Sequence, residues 1–159
     1  MTLSGIGYDV HAFVEGRPLI LGGVEIAHTH GLDGHSDADV LSHAIADAVL
    51  GAIGERDIGF HFPNTDHSIR GISSLEILRR SAELTKGLGG RVLNIDATLI
   101  AEAPKISPHV MAMRANIAQA LGLDPRRVGV KATTNERMGF LGRGEGIAAM
   151  AVASVEVPE

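Results

Sequence analysis

Gly34-His35-Ser36-Asp37-Ala38-Asp39-Val40-Leu41-Ser42-His43-Ala44-Ile45-Ala46-Asp47-Ala48-Val49-Leu50-Gly51-Ala52 is the stretch on which the reading of the fold turns. Val40, Leu41, Ala44, Ala48, Val49 and Ala52 recur at helical spacing, and Ser36 or Asp37 is placed to cap the first turn. Asp39, His43 and Asp47 stand four apart, so they form one polar stripe beside an alanine-rich apolar one. The segment is therefore expected to be a helix that buries one face and carries chemistry along its border.

Strand patterns precede it. Leu3 to His11 is one, and Pro18 to Ile26 is a second, with Gly22-Gly23 suited to a bend or bulge. After it, Ile58 to Asp66 is too punctuated by Gly, Pro and Asn for regular structure and reads as a functional loop. A second helix begins at the capping box Ser73-Ser74-Leu75-Glu76, runs through Leu78 and Ala82, and stops at Gly87 or Gly89-Gly90. Arg91 to Ala101 alternates Leu93, Ile95, Ala97 and Leu99 against Asn94, Asp96 and Thr98, the period of a half-buried strand. A third helix starts at Ser107-Pro108, turns Val110, Met113, Ile117 and Leu121 inward, and ends at Gly122. Val128 to Thr133 and Ile147 to Val157 close the chain as strands around a glycine-rich loop, Gly139 to Gly146. The order β, β, α, α, β, α, β, β, without repeat or linker, predicts an α+β fold: one mixed sheet covered by helices on one face. A single domain over residues 1–159 is expected, long enough to bury about 70% of the surface of its unfolded chain.

Composition removes several classes of function. Fourteen basic against 19 acidic residues give a net charge of -5, with no basic run of the kind nucleic-acid binding needs. Aromatics are 3% and tryptophan is absent, so a base-stacking platform has no material. The longest apolar run, Ile147 to Val155, is about half a membrane span. Strand-like sequence within a few residues of Met1 leaves no room for a secretory leader, so a cytoplasmic protein is expected. With no cysteine, any metal must be held by His, Asp or Glu.

Asp9 and His11, two apart in a strand, point to one face, and His43 on the first helix offers a third ligand. Two histidines and a carboxylate are a set that catalytic zinc sites use, with Asp39 or Asp47 available to orient an imidazole. The same three residues also read as a strand-end cap, a loop histidine and a solvated helix face. Gly34-His35-Ser36 stands at a helix mouth, where free N–H groups favour an anion, although on the residues alone an ordinary cap after a glycine turn is the stronger reading. Lys131-Ala132-Thr133-Thr134-Asn135-Glu136 leaves a strand with a cation, two hydroxyls and a hard oxygen ligand for magnesium, donors that suit a phosphoryl group. Four glycines between Gly139 and Gly146 suggest close backbone approach, but the segment lacks the Gly-Lys-Ser/Thr ending of a phosphate loop and precedes a strand, unlike a dinucleotide fingerprint. Ala101 to Lys105 is a strand exit able to offer backbone groups to a base.

Gly7-Tyr8-Asp9-Val10-His11, Leu21-Gly22-Gly23-Val24, His35-Ser36-Asp37-Ala38-Asp39-Val40, Asp57-Ile58-Gly59, Phe62-Pro63-Asn64-Thr65-Asp66, Ala103-Pro104-Lys105, Val130-Lys131-Ala132-Thr133-Thr134 and Gly142-Arg143-Gly144-Glu145-Gly146 together resemble the 2-C-methyl-D-erythritol 2,4-cyclodiphosphate synthases. The likeness runs from about Ile6 to Val155 and is to the single-function form. It implies zinc on Asp9, His11 and His43, and magnesium or manganese on the substrate diphosphate with help from Glu136. It implies transition-state roles for His35 and Thr134 and substrate contacts from Ser36, Asp57, Gly59, Phe62, Asn64 and Asp66. Ala101, Pro104, Lys105 and Ser107, with Ala132 and Thr133, match a cytidine pocket. Asn64 stands where a member of the family carries Asp, and is expected to position a hydroxyl only.

The resemblance further implies a homotrimer with each site between neighbours. Its substrate is 4-diphosphocytidyl-2-C-methyl-D-erythritol 2-phosphate, whose 2-phosphate closes on the β-phosphorus and expels CMP. Two other classes fit the residues: a zinc phosphohydrolase releasing an acyclic phosphate, and a non-catalytic trimeric nucleotide-binding module. Phe140 and Arg143 match positions lining a cavity on the threefold axis, where clustered guanidinium groups would welcome an isoprenoid diphosphate.

Overall fold

The computed structural model describes residues 1–159. Strand β1 (Thr2–Val14) is followed by a hairpin of β2 (Leu19–Leu21) and β3 (Val24–Ile26) that turns on Gly22 and Gly23, both at positive φ, so the expected bend is a tight turn. After β4 (Gly31–Leu32) come α1 (Val40–Ala52), the single turn α2 (Ile58–His61) and α3 (Ser74–Gly87). Strand β5 (Arg91–Ile100), α4 (Val110–Leu121), β6 (Val128–Thr133), the single turn α5 (Gly139–Gly142) and β7 (Gly146–Glu156) complete the chain. The main sheet has the order β4-β1-β7-β5-β6, with β5 and β6 parallel and the other pairs antiparallel. It is the expected mixed sheet, with β7 at its centre.

The inner face of β1 presents Gly5, Gly7, Asp9 and His11 in succession, because alternate residues of a strand share a side. The two glycines let α1 lie directly on the strand. A Cβ at Gly7 would stand 1.8 Å from the carbonyl oxygen of Ala44, and one at Gly5 would stand 2.1 Å from that of Ala48. Ala44 and Ala48 are fully buried, and the inward face of β7, which also packs on α1, is small at its middle, with Ala149, Ala151 and Ala153. Two residues along β1 therefore match one turn back along α1. The same phase sets His43, one residue before Ala44, against Asp9 and His11.

Helix α1 is capped by Asp39, not by Ser36 or Asp37 as its sequence suggested. Asp39 is fully buried and accepts from the N–H groups of Gly22 and Gly23 and from both the N–H and the hydroxyl of Ser42. One carboxylate thus starts the helix and closes the β2–β3 turn. The capping box expected at Ser73 does not form, since the Ser73 side chain makes no cap bond; the neighbouring Ser74 is turned inward instead. Gly122, at φ 70°, terminates α4 as its sequence indicated. The glycine-rich segment contains the helical turn α5 where a loop was expected, and Ser107–His109 is a 3-10 turn leading into α4.

The outer face of the sheet is unusual for its apolar exposure. Ile6 pairs with Val152 and Tyr8 with Met150 across β1 and β7, and all four are exposed, as is Val10. No helix is long and apolar enough to cross a membrane.

The Gly7 contact has a direct test. Gly7→Ala is expected to destabilise the fold by about 3 kcal/mol or more, because the helix backbone cannot yield. Gly51→Ala, on exposed α1 surface with nothing nearer than 3.9 Å to its added Cβ, should be neutral or stabilise by about 0.5–1 kcal/mol. Urea midpoints at unchanged slope would measure both, and a tolerant Gly7 would refute the packing account.

Candidate metal centre and its loops

Asp9, His11 and His43 converge as the strand-helix register requires. Asp9 Oδ2 lies 2.9 Å from His11 Nε2 and 3.0 Å from His43 Nδ1, and the two imidazole nitrogens are 3.3 Å apart. A tetrahedral ion with bonds of about 2.0–2.1 Å holds its donors about 3.3 Å apart, so the triangle fits one divalent cation. The outer nitrogens are also committed. His11 Nδ1 donates to the carbonyl of Asp33 at 2.6 Å, and since a carbonyl only accepts, the neutral ring must turn the lone pair of Nε2 into the cluster. His43 Nε2 meets the hydroxyls of Ser74 at 2.8 Å and Ser36 at 3.0 Å. Neither Asp39 nor Asp47 orients an imidazole, as the sequence had suggested: Asp39 is the cap described above, and Asp47 accepts from the N–H of Ile58.

Burial opposes charge on both Asp9 and His11, yet their mutual hydrogen bond overcomes it. Asp9 is held well below the usual carboxylate range, with the His43 contact contributing, and His11 is raised.

The triad opens on a cavity of about 230 Å³ whose other walls include His35, Ser36, Gly59, Phe62 and Asn64. It continues into a cavity of about 390 Å³, lined by no hydrophobic residue, that adds Arg17, His67 and Arg70. Of the residues expected around the substrate, Asp57 and Asp66 do not line these spaces. Asp57 caps α2 by accepting from Phe60 N, and Asp66 caps the 3-10 turn His67–Ile69. The carbonyl of Asp66 nevertheless lies 3.4 Å from His35 Nε2.

The remaining expected residues form a second group across the sheet. β5 and β6 run in parallel with Leu99 opposite Ala132 and Ile100 opposite Thr133, and Ala101 donates to the carbonyl of Thr133. Ala101 thus adjoins Thr133, and Pro104, Lys105 and Ser107 follow it beyond the exit of β5. Glu102, whose side chain sequence reasoning overlooked, accepts from the N–H groups of Asn135 and Arg137 and so fixes the turn. Glu136 sits there in the left-handed region at φ 52°, with its carboxylate free of any partner in the chain. Lys131, read as a phosphoryl donor, is instead paired with Asp96 on the adjacent strand. Phe140 and Arg143 lie near the start of β7, and Arg143 pairs with Glu145 at 2.7 Å. A groove of about 700 Å³ between the ends of α3 and α4 includes none of these residues.

Residues 2–156 match the family described as the YgbB family. A protein of Akkermansia muciniphila named 2-C-methyl-D-erythritol 2,4-cyclodiphosphate synthase is 57% identical over all of this chain and 95% of its own length. A protein of the same name from Symbiobacterium thermophilum is 60% identical over 96% of this chain and 98% of its own. Among solved structures, the IspF of Plasmodium falciparum in complex with CDP superposes with a TM-score of 0.85 at 32% identity, over 99% of this chain and 97% of that one.

Ser74 was hidden by its place in an apparent cap. Ser74→Ala is expected to weaken divalent-cation binding about 10-fold while α3 stays folded, as competition with a chelating indicator would show. The His11 shift sets a pH dependence. In the metal-free chain the raised His11 contributes stability that is fully present below about pH 6.5 and is lost as pH rises through its folded value. The Asp9 contribution is present above about pH 4 and is lost as pH falls through its depressed value. In chelator, the stability advantage of wild type over His11→Gln should therefore shrink from pH 6 toward pH 9. An advantage that grows over that range would refute the assignment.

Proposed function

The chain belongs to the YgbB family, and on that footing we propose that it converts 4-diphosphocytidyl-2-C-methyl-D-erythritol 2-phosphate to 2-C-methyl-D-erythritol 2,4-cyclodiphosphate and CMP. It is a phosphorus-oxygen lyase of isoprenoid biosynthesis, and its ligand class is the cytidine nucleotide, as the CDP complex of a relative supports. The observation that carries the reading is the Asp9–His11–His43 triangle, opening on a cavity walled by His35, Ser36 and Asn64.

The reaction is intramolecular. An oxygen of the 2-phosphate bonds to the β-phosphorus while the bond from that phosphorus to the bridging oxygen breaks, and CMP leaves with that oxygen and its electrons. No covalent step falls to the protein, so its work is orientation and neutralisation of charge. Asp9 Oδ2, His11 Nε2 and His43 Nδ1 would hold zinc. Zinc bound there supplies positive charge that orients the attacking phosphate and draws electrons from the electrophilic one. Glu136, with its unpartnered carboxylate, would help hold magnesium or manganese on the diphosphate.

Thr134 Oγ1 accepts from the N–H of Glu136 at 3.2 Å, which leaves its own proton to donate toward substrate oxygens. His35 presents its ring from the metal side. Ser36, Gly59, Phe62 and Asn64 would enclose the erythritol end, Asn64 as a donor to a hydroxyl, while Asp57 and Asp66 would act through the turns they cap. Ala101, Pro104, Lys105 and Ser107, with Ala132 and Thr133, would receive the cytidine.

Two features support a homotrimer. The metal group stands on β1 and the nucleotide group at the exits of β5 and β6, with β7 between; β1 and β6 are about 14 Å apart at ordinary strand spacing. Neighbouring chains that each supply one half would close that gap. The exposed row Ile6, Tyr8, Val10, Met150 and Val152 offers the surface for such an assembly. An isoprenoid diphosphate on the axis would meet Phe140, and would share or displace the Arg143–Glu145 pair. A cytoplasmic setting suits a nucleotide substrate of this kind.

Mass spectrometry of the products formed with zinc and magnesium tests the reaction. Wild type should yield the cyclic diphosphate and CMP, and His43→Ala should yield neither above about 1% of the wild-type rate, given the 10²–10³-fold cost of removing a charge-stabilising group. An acyclic phosphate would make the chain a hydrolase instead, and CMP binding without turnover would make it a binding module.

A further inference from the structure

Arg17 lies between β1 and β2, half-buried, and its guanidinium is spent in an unexpected way. One Nη donates to the carbonyl of Gly34 at 2.5 Å and the other to the carbonyl of Ser36 at 2.6 Å. The nearest carboxylate oxygen, on the exposed Asp33, is 3.9 Å away, beyond hydrogen-bonding reach. A full positive charge is thus committed to two neutral acceptors that flank a single residue, His35. The carbonyl of His35 is held in turn by the N–H of Gly71 at 3.0 Å. All three consecutive carbonyls are therefore fixed, while the N–H groups of Gly34, His35 and Ser36 donate to no group of the chain.

We propose that Arg17 is a positioning residue for the cyclisation, acting through the 33–36 loop by clamping the carbonyls on either side of His35. The inference rests on the reaction proposed above. Three physical consequences follow from the clamp. The fork of a guanidinium has two donors in one plane, which can bridge two carbonyls at fixed spacing; a lysine ammonium cannot reproduce that geometry. The Gly34 carbonyl and the His35 N–H belong to one peptide unit, so a cation on the oxygen polarises the unit and strengthens the N–H as a donor to phosphate. Arg17 forms part of the wall of the polar cavity that His35, Ser36 and Asn64 share with His67 and Arg70, so its charge also faces the space meant for anions.

The test uses wild type, Arg17→Ala and Arg17→Lys, each assayed for cyclic product, zinc content and thermal midpoint. Arg17→Ala should lose about 100-fold in kcat, the scale of a misplaced reacting group, with KM changed far less and with zinc content and thermal midpoint near wild type. Arg17→Lys should not recover the rate, because the charge remains while the fork is gone. Added methylguanidinium should restore part of the kcat of Arg17→Ala and leave the wild type and Arg17→Lys unchanged. A fully active Arg17→Lys, a loss that follows zinc content or unfolding, or an Arg17→Ala without guanidinium rescue would each overturn the proposal. Wild type that forms no cyclic product would refute the reaction itself, whereas active wild type beside an equally active Arg17→Ala refutes only the role of Arg17.

Discussion

The close seat of α1 on β1 is the constraint from which the site follows. At Gly5 and Gly7 the helix backbone occupies the volume where side chains would stand, and Ala44 and Ala48 answer from the helix. Such contact fixes both the distance between the elements and their phase, since a helix resting on backbone has little freedom to slide or roll. The phase carries His43 to Asp9 and His11 within hydrogen-bonding distance. Burial of small residues stabilises less per residue than burial of large ones, so the flanking Leu41, Ile45, Leu78 and Ile117 supply much of the apolar area. The glycines and alanines determine geometry, and the branched residues around them supply stability.

Around the cluster, acidic side chains divide into those that meet the cavity and those that hold the backbone. Asp39, Asp47, Asp57 and Asp66 all accept main-chain N–H groups. Asp37 takes the Ser74 N–H and hydroxyl, placing Ser74 against His43. Only Asp9 turns its carboxylate into the metal triangle. The surplus of negative charge near the cavity is thus largely tied to fixed dipoles, and Arg17, His67 and Arg70 face its polar part without an acidic residue among the lining. Loops of this kind are pre-shaped by bonds within the chain, which lowers the ordering cost of binding.

Much of the fold was legible because periodicity reports burial. Val128–Thr133 and the end of α4 at Gly122 appear where their patterns place them, and the Asp9–His11 alternation correctly put both side chains on one face. Contacts between distant elements were not legible: no local pattern distinguishes Ser74 as the partner of His43 from Ser74 as a helix-start residue. Ser36, Asp37 and Asp39 all have cap chemistry, and the choice fell to Asp39 because only it also reaches the amides of Gly22 and Gly23. Arg17 and Glu102 carried no signal for a similar reason. Each acts on main-chain groups of a segment 17 to 35 residues away, and main-chain groups look alike in every sequence.

The separation of the Asp9–His11–His43 group from the residues at the exits of β5 and β6, across β7, bears on inheritance as well as on chemistry. If the working centre draws its halves from different copies, damage in one half and damage in the other fall on different centres. Chains with a spoiled Asp9 and chains with a spoiled Thr133, produced together, would assemble some centres with two intact halves. Alleles within this one gene would then sort into two complementation groups, a behaviour ordinarily taken as the mark of two genes.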